Sequence, residues 1–227
     1  MKRSEINEAI IGAQKMFRIT GFTPPPWSYW SRTEWKARPE TARYCAHHQM
    51  GWDITDFGGG NFMTRGLLLL CTRNGIQGRA NEPVYAEKIM VVLEGQETPF
   101  HYHKVKMEDI IVRGGGKLVV EFINTGAQGE LLDTPVHVLI DGSSRKINPR
   151  VPVVLTPGES VTIRPGQMHR FYAKSGSGDV LVGEVSQVND DYNDNFFLEK
   201  IERFSTIVEN EKPKRPLWSE LAALVGG

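Results

Sequence analysis

Four side chains in this 227-residue chain are of the types, and at the spacing, that hold a metal ion: His101, His103, Glu108 and His169. Side chains on a β-strand alternate between faces, so His101 and His103 project to the same side, about 7 Å apart along the strand. Two imidazoles so placed act as neighbouring ligands of one ion. Glu108 follows a turn's length later and is expected to return on an adjacent strand with a carboxylate. Pro165 and Gly166 form a sharp turn before His169, which begins another strand-like run and supplies a third nitrogen. A lone histidine on a strand is more often an ordinary surface or core residue, so each of the four is weak taken singly; His47, His48 and His137 lack a comparable setting. Three imidazoles and a carboxylate suit Mn²⁺, Fe²⁺, Co²⁺, Ni²⁺ or Zn²⁺ and fit oxygen-loving Ca²⁺ or Mg²⁺ poorly. An octahedral ion with four protein ligands keeps open positions for substrate.

The elements that must position these residues are short strands. Residues 88–93, 117–122, 136–140, 151–155, 160–163 and 180–185 are rich in β-branched side chains, and turn signals such as Asn74-Gly75, Asp141-Gly142 and Pro157-Gly158 lie between them. No βαβ alternation is visible, so a sandwich or barrel is expected over about 61–195. Residues 4–18 read as an amphipathic helix with Ser4 as N-cap and Ile6, Ile10, Ala13 and Phe17 on one face. Residues 20–60, with Pro24-Pro25-Pro26, Trp27, Tyr29, Trp30 and Trp35, read as loops and short turns. Their aromatics either line a sugar pocket, with Trp27 the candidate substrate contact, or simply cover the barrel surface. Within 196–227, Leu217 to Val225 looks like a short helix capped by Gly226-Gly227. The whole, 1–227, is expected to be one domain.

Composition narrows the partners. Lys+Arg and Asp+Glu are both 27, which gives none of the broad positive field that nucleic acid or an anionic membrane requires. Two cysteines, Cys45 and Cys71, make no disulfide framework. Cys71 ends the apolar run that starts at Gly66, reads as a buried thiol, and belongs to a stretch far too short to cross a bilayer. With no signal-peptide pattern at the N-terminus, a cytoplasmic location is expected.

The spacing of Gly95, His101, His103, Glu108 and Gly115 resembles the first cupin motif, and the run from Gly158 to His169 resembles the second. The second departs in two places: its proline is displaced by one residue, and Ala173 stands where an asparagine is usual. The resemblance implies an all-β cupin fold, a double-stranded β-helix or jelly-roll barrel, with an N-terminal helix and loop extension and a short C-terminal helix. Over nearly its whole length the chain further resembles the longer type of D-lyxose isomerase. The N-terminal helix, the Pro-Pro-Trp segment, the His-x-His block and residues 184–197 carry that likeness. It implies a Mn²⁺-dependent, homodimeric aldose–ketose isomerase that converts D-lyxose to D-xylulose, and D-mannose to D-fructose, through a cis-enediol.

Such chemistry needs a base and cationic partners. Glu184, in the otherwise apolar run 180–185, is the first candidate for the base; pointing inward, it would have its pKa raised by desolvation, and pointing outward it would be an ordinary solvated carboxylate. Lys106 and Lys88 are the candidate cations, each as readily a surface lysine. Asp194 is a candidate for binding sugar hydroxyls, whereas Asp190 and Asp191 read as a solvated loop. The competing functions are an Fe²⁺ cupin dioxygenase and a non-catalytic sugar-sensing cupin.

Overall fold

The computed structural model describes residues 1–226. The chain opens with α1 (Arg3–Thr20), a 3-10 turn (Pro26–Tyr29), α2 (Arg32–Lys36) and α3 (Pro39–His47). The strands follow: β1 (Gly51–Thr55), β2 (Leu67–Arg73), β3 (Tyr85–Val92), β4 (Glu97–Tyr102), β5 (Glu108–Gly115), β6 (Leu118–Thr125) and β7 (Leu131–Leu132). They continue with β8 (Val136–Ile140), β9 (Ser143–Ile147), β10 (Val153–Leu155), β11 (Ser160–Ile163), β12 (Gln167–Ala173), β13 (Val180–Gln187) and β14 (Phe196–Phe197). Helix α4 (Trp218–Val225) closes the described chain.

The strands pair antiparallel into two sheets. An eight-stranded sheet runs β1-β2-β3-β13-β5-β11-β8-β9, and a six-stranded sheet runs β10-β6-β12-β4-β14 with β7 beside β6. Their inner faces share one core. Leu69, Met90, Ile110 and Val182 come from the larger sheet, and Leu118, Val120, Phe122 and Phe171 from the smaller. The larger sheet is also covered outside: Ile6, Ile10, Ala13 and Phe17 of α1 pack on Trp52, Leu68, Leu70, Ile89, Val91 and Leu181. A strand buried on both faces needs apolar residues at every position, which explains the unbroken Leu67–Leu70 run. Cys71 is buried and free, as expected.

Three expectations are corrected. The first helix begins before Ser4, because Arg3 N–H donates to Val208 O (2.9 Å) and Lys2 N–H to the Glu5 carboxylate (2.6 Å), which make Lys2 and not Ser4 the N-cap. Residues 20–60 are not mainly loops. They hold α2, started by the reciprocal Ser31–Glu34 capping box, and α3, entered at Pro39. They also hold β1, which edges the larger sheet. Gly226 follows α4 at φ −96° and so is not the left-handed cap that a terminal glycine suggests; Gly227 lies outside the described residues.

Candidate metal centre and adjoining cavity

His101 lies on β4, and His103 just beyond the end of that strand. His169 on β12 is the register partner of His101, and their rings sit 4.2 Å apart, centroid to centroid. Glu108 begins β5, so its carboxylate comes from the facing sheet and not from a strand adjacent to His101. The chain crosses between the sheets over 103–107, and this short connection brings the carboxylate back to the histidines. One potential ligand atom from each of His101, His103, Glu108 and His169 lies within 4.8 Å of the other three, and all four residues are buried.

The hydrogen bonds fix which nitrogen faces the centre. His101 Nδ1 contacts Pro99 O at 2.9 Å, His103 Nδ1 contacts Asp194 O at 2.5 Å, and His169 Nδ1 contacts Gln167 O at 3.0 Å. A carbonyl only accepts, so each Nδ1 carries its proton and each Nε2 is left with a lone pair. His169 Nε2 is a buried nitrogen with no hydrogen-bond partner. It stands 3.1 Å from Glu108 Oε1, so the two potential ligand atoms converge on one point. Carbonyl-anchored Nδ1 atoms with convergent Nε2 lone pairs are the arrangement by which proteins orient imidazoles on a metal. Burial and the other two imidazoles hold His101 well below its ordinary pKa, so it is neutral, as a ligand must be. The residues present fit a divalent transition metal.

Glu184 points inward and is buried. It is the cross-strand partner of Lys88 on β3. Its Oε1 lies 2.8 Å from Lys106 Nζ and 3.3 Å from Lys88 Nζ, and it accepts from Ser186 Oγ at 3.0 Å. Lys106 Nζ also lies 2.8 Å from Glu108 Oε2, so one ammonium bridges the candidate base and the candidate ligand. The expected rise in the Glu184 pKa does not occur. Burial does push it up, but Lys106 and Lys88 more than offset that and leave it below the ordinary glutamate value. Glu108 is held down in the same way, burial being outweighed by Lys106 and His103. Lys106 in turn is raised: burial alone would lower it, and the two glutamates override that.

These residues open onto an interior cavity walled by Phe57, Leu67, Phe171 and Phe197, with Thr98, Asp191, Asn195 and Arg203 as further polar groups. Lys88, His101, His103, Lys106, Glu108 and Glu184 also line it, while fully buried His169 lies behind. Asp191 was not expected here. It is a buried carboxylate 3.2 Å from Arg203, which in turn is 2.7 Å from Asp53. Nothing in the composition around Arg203 marks it out; the chain returns it to the cavity only through the fold.

The two expected sugar contacts lie elsewhere. Trp27 is absent from the cavity wall and packs against Trp35, 6.1 Å between centroids, beside the core. The Asp194 carboxylate is taken up by backbone amides: Oδ1 accepts from Lys104 N (2.7 Å) and Val105 N (3.0 Å), and Oδ2 from Lys106 N (2.9 Å). It shapes the turn that carries His103 and Lys106.

The family model for D-lyxose isomerase matches residues 1–221. A D-lyxose/D-mannose isomerase of Escherichia coli O157:H7 is 42% identical over 223 residues, 97% of this chain and 98% of the relative. One of Serratia proteamaculans is 41% identical over 216 residues, 94% and 95% of the two chains. Among solved structures, Cellulomonas parahominis L-ribose isomerase with L-ribose aligns with TM-score 0.62 at 16% identity, over 92% of this chain and 98% of that one. At that identity the match establishes a shared fold, the cupin-like β architecture anticipated from the motifs.

Proposed function

The chain belongs to the D-lyxose isomerase family and is an aldose–ketose isomerase, and we propose that it converts D-lyxose to D-xylulose, and D-mannose to D-fructose, through a cis-enediol. The observation that carries the mechanism is the unbroken buried series Glu108–Lys106–Glu184, which sets a carboxylate base beside the candidate metal ligands. His101, His103, Glu108 and His169 would hold the ion, Mn²⁺ being our first choice. When bound, the ion would act as a Lewis acid that acidifies the C–H of the hydroxyl-bearing carbon next to the substrate's carbonyl.

The protein's own groups account for the proton movements. Glu184 is held ionised and takes the proton from C2 of the aldose. The C–H electron pair becomes the C1–C2 double bond, and the C1 carbonyl oxygen gains the proton that the C2 hydroxyl gives up. Glu184, now neutral, returns its proton to C1 while the hydroxyl on C2 gives up its own, so no proton is consumed. A single carboxyl serving both carbons requires transfer on one face of the sugar, which is why the enediol is cis. Lys106 keeps its charge throughout. Two of its three N–H donors face Glu108 and Glu184, and the third is free for a substrate oxygen. Lys88 adds a second positive charge at Glu184. Asp191, Arg203 and Asn195 supply donors and acceptors for the remaining hydroxyls, and Phe57, Phe171 and Phe197 exclude water.

A homodimer in the cytoplasm completes the proposal. Two buried free thiols support a reducing compartment, and sedimentation tests the dimer. Among the described residues no helix is long and apolar enough to cross a membrane.

The test is an assay on chelator-stripped protein with D-lyxose and with D-mannose, before and after Mn²⁺ is added. Ketose that appears only after metal is restored supports the proposal. No ketose from either sugar with metal bound overturns it; oxygen consumption would then indicate a dioxygenase, and silence a sugar-sensing protein.

A further inference from the structure

Lys88 is a buried ammonium on β3, 4% exposed, and among the described residues its one salt-bridge partner is Glu184. Its shortest contact is neutral: Nζ donates to Asn189 Oδ1 at 2.6 Å, against 3.3 Å to Glu184 Oε1. Asn189 lies just beyond the end of β13, where regular strand pairing has stopped. Its conformation is set by a second buried asparagine, Asn74, just past the end of β2. Asn74 Oδ1 accepts from Asn189 N at 3.0 Å, and Asn74 Nδ2 donates to Asn189 O at 3.1 Å. The side-chain amide thus meets both backbone groups of one residue, as a neighbouring strand would. The second Nδ2 hydrogen goes to His48 O at 2.9 Å, which ties the clamp to the end of α3. Asn74 and Asn189 are 3% and 5% exposed, so a group left without its partner here would not be rescued by water.

From this geometry we infer that Asn74 and Asn189 are positioning residues for the reaction: Asn74 fixes Asn189, and Asn189 holds the Lys88 ammonium at its distance from Glu184. The inference rests on the proposed role of Lys88 beside the base. A neutral acceptor suits the task. It restrains the ammonium without bringing a second full negative charge, so the charge of Lys88 still acts on Glu184. Neither asparagine lines the cavity, so their inferred effect on the reaction runs through the lysine. A plain structural tie would predict something different, namely a loss of stability with no special dependence on Lys88.

A double-mutant cycle separates the two. Lys88→Met, Asn189→Ala and Asn74→Ala are compared in the full-length metal-loaded enzyme with D-lyxose, with kcat, KM and thermal midpoint recorded. Displacing a group near the reacting centre by about 1 Å costs on the order of 100-fold, so we expect each asparagine variant to lose about tenfold or more in kcat. KM should change far less. In the Lys88→Met background the same substitutions should cost no further kcat, while the thermal midpoint falls equally in both backgrounds. If the kcat losses multiply in the Lys88→Met background, or if both asparagine variants keep the parent kcat while Lys88→Met does not, the positioning role is wrong. If Lys88→Met itself keeps full kcat, the role of Lys88 fails and takes the inference with it. A parent enzyme that makes no ketose fails earlier, at the proposed function. Should Asn74→Ala not fold, Asn189→Ala carries the test, since it leaves the Asn74–His48 bond in place.

Discussion

Lys106 and Glu184, 78 residues apart in the sequence, meet as a buried ion pair with Nζ 2.8 Å from Oε1. The same ammonium sits 2.8 Å from Glu108 Oε2, so it separates two carboxylates that would otherwise repel each other inside the protein. The pair keeps Glu184 below its ordinary pKa of 4.5, with burial opposing and Lys106 leading the charges that win. The acid limb of kcat/KM that reports Glu184 should therefore lie below pH 4.5. Lys106→Met removes the leading stabilising charge and leaves burial less opposed, so that limb should move to higher pH. A pH–rate profile of the two proteins checks this, and an unmoved limb would remove Glu184 as the titrating base.

Glu184→Gln preserves size and deletes the base. General-base contributions are about 10²- to 10⁴-fold, and a kcat loss in that range is expected, with metal content unchanged. Glu108→Gln should do the reverse and lose metal as well as rate, because its carboxylate is one of the four convergent groups. Metal analysis beside kinetics distinguishes the two glutamates.

Acid should unfold the metal-free protein in two stages. His101 is held below its ordinary 6.5 in the folded state by burial and its neighbouring imidazoles. The unfolded chain therefore takes up that proton first, and stability is lost as pH falls below about 6.5. Glu184 and Glu108 are held below 4.5, and Asp191, whose burial is outweighed by Arg203 and then Lys88, below 3.8. Their contribution is complete above the unfolded values and is lost as pH falls from about 4.5 through the folded ones. Urea midpoints at pH 7, 5.5 and 4 should fall in that order. Added metal should raise the pH 7 midpoint, since a ligand at about 100 times its dissociation constant stabilises by about 2.7 kcal/mol.

The convergence of the four candidate ligands was legible because strand alternation and turn chemistry are local: His101 and His103 share a face, and Pro165-Gly166 turns the chain into His169, with Gly166 at φ 77°. Strands β8 and β11 were legible for the same reason. The direction of Glu184's titration was not, because it depends on Lys106 and Lys88 arriving from two other segments. Asp191 reads as one of several loop acids until Arg203 is set beside it by folding, 3.2 Å away. The helices in 20–60 were obscured by prolines and aromatics that signal loops, although Ser31 and Glu34 hold a capping box at the start of α2. Trp27 was ambiguous in kind: the same flat ring serves a sugar or a core, and only its packing against Trp35 places it.

Asp194 offers a test of position against contact. Its carboxylate accepts from the amides of Lys104, Val105 and Lys106, and its carbonyl receives the His103 Nδ1 proton. Asp194→Ala removes the three carboxylate bonds and loosens the turn that carries a candidate ligand and Lys106. Loss of such outer support costs about 10- to 100-fold in metal affinity, so the metal concentration for half-maximal activity should rise by that much. At saturating metal KM for D-lyxose should stay near the parent value, because the carboxylate does not line the cavity. Asp194→Asn keeps one acceptor oxygen and should fall between the two. The measurement is a metal titration of activity for all three proteins at fixed sugar, followed by a sugar titration at saturating metal. A raised KM with unchanged metal affinity would instead make Asp194 a sugar ligand and the amide contacts incidental.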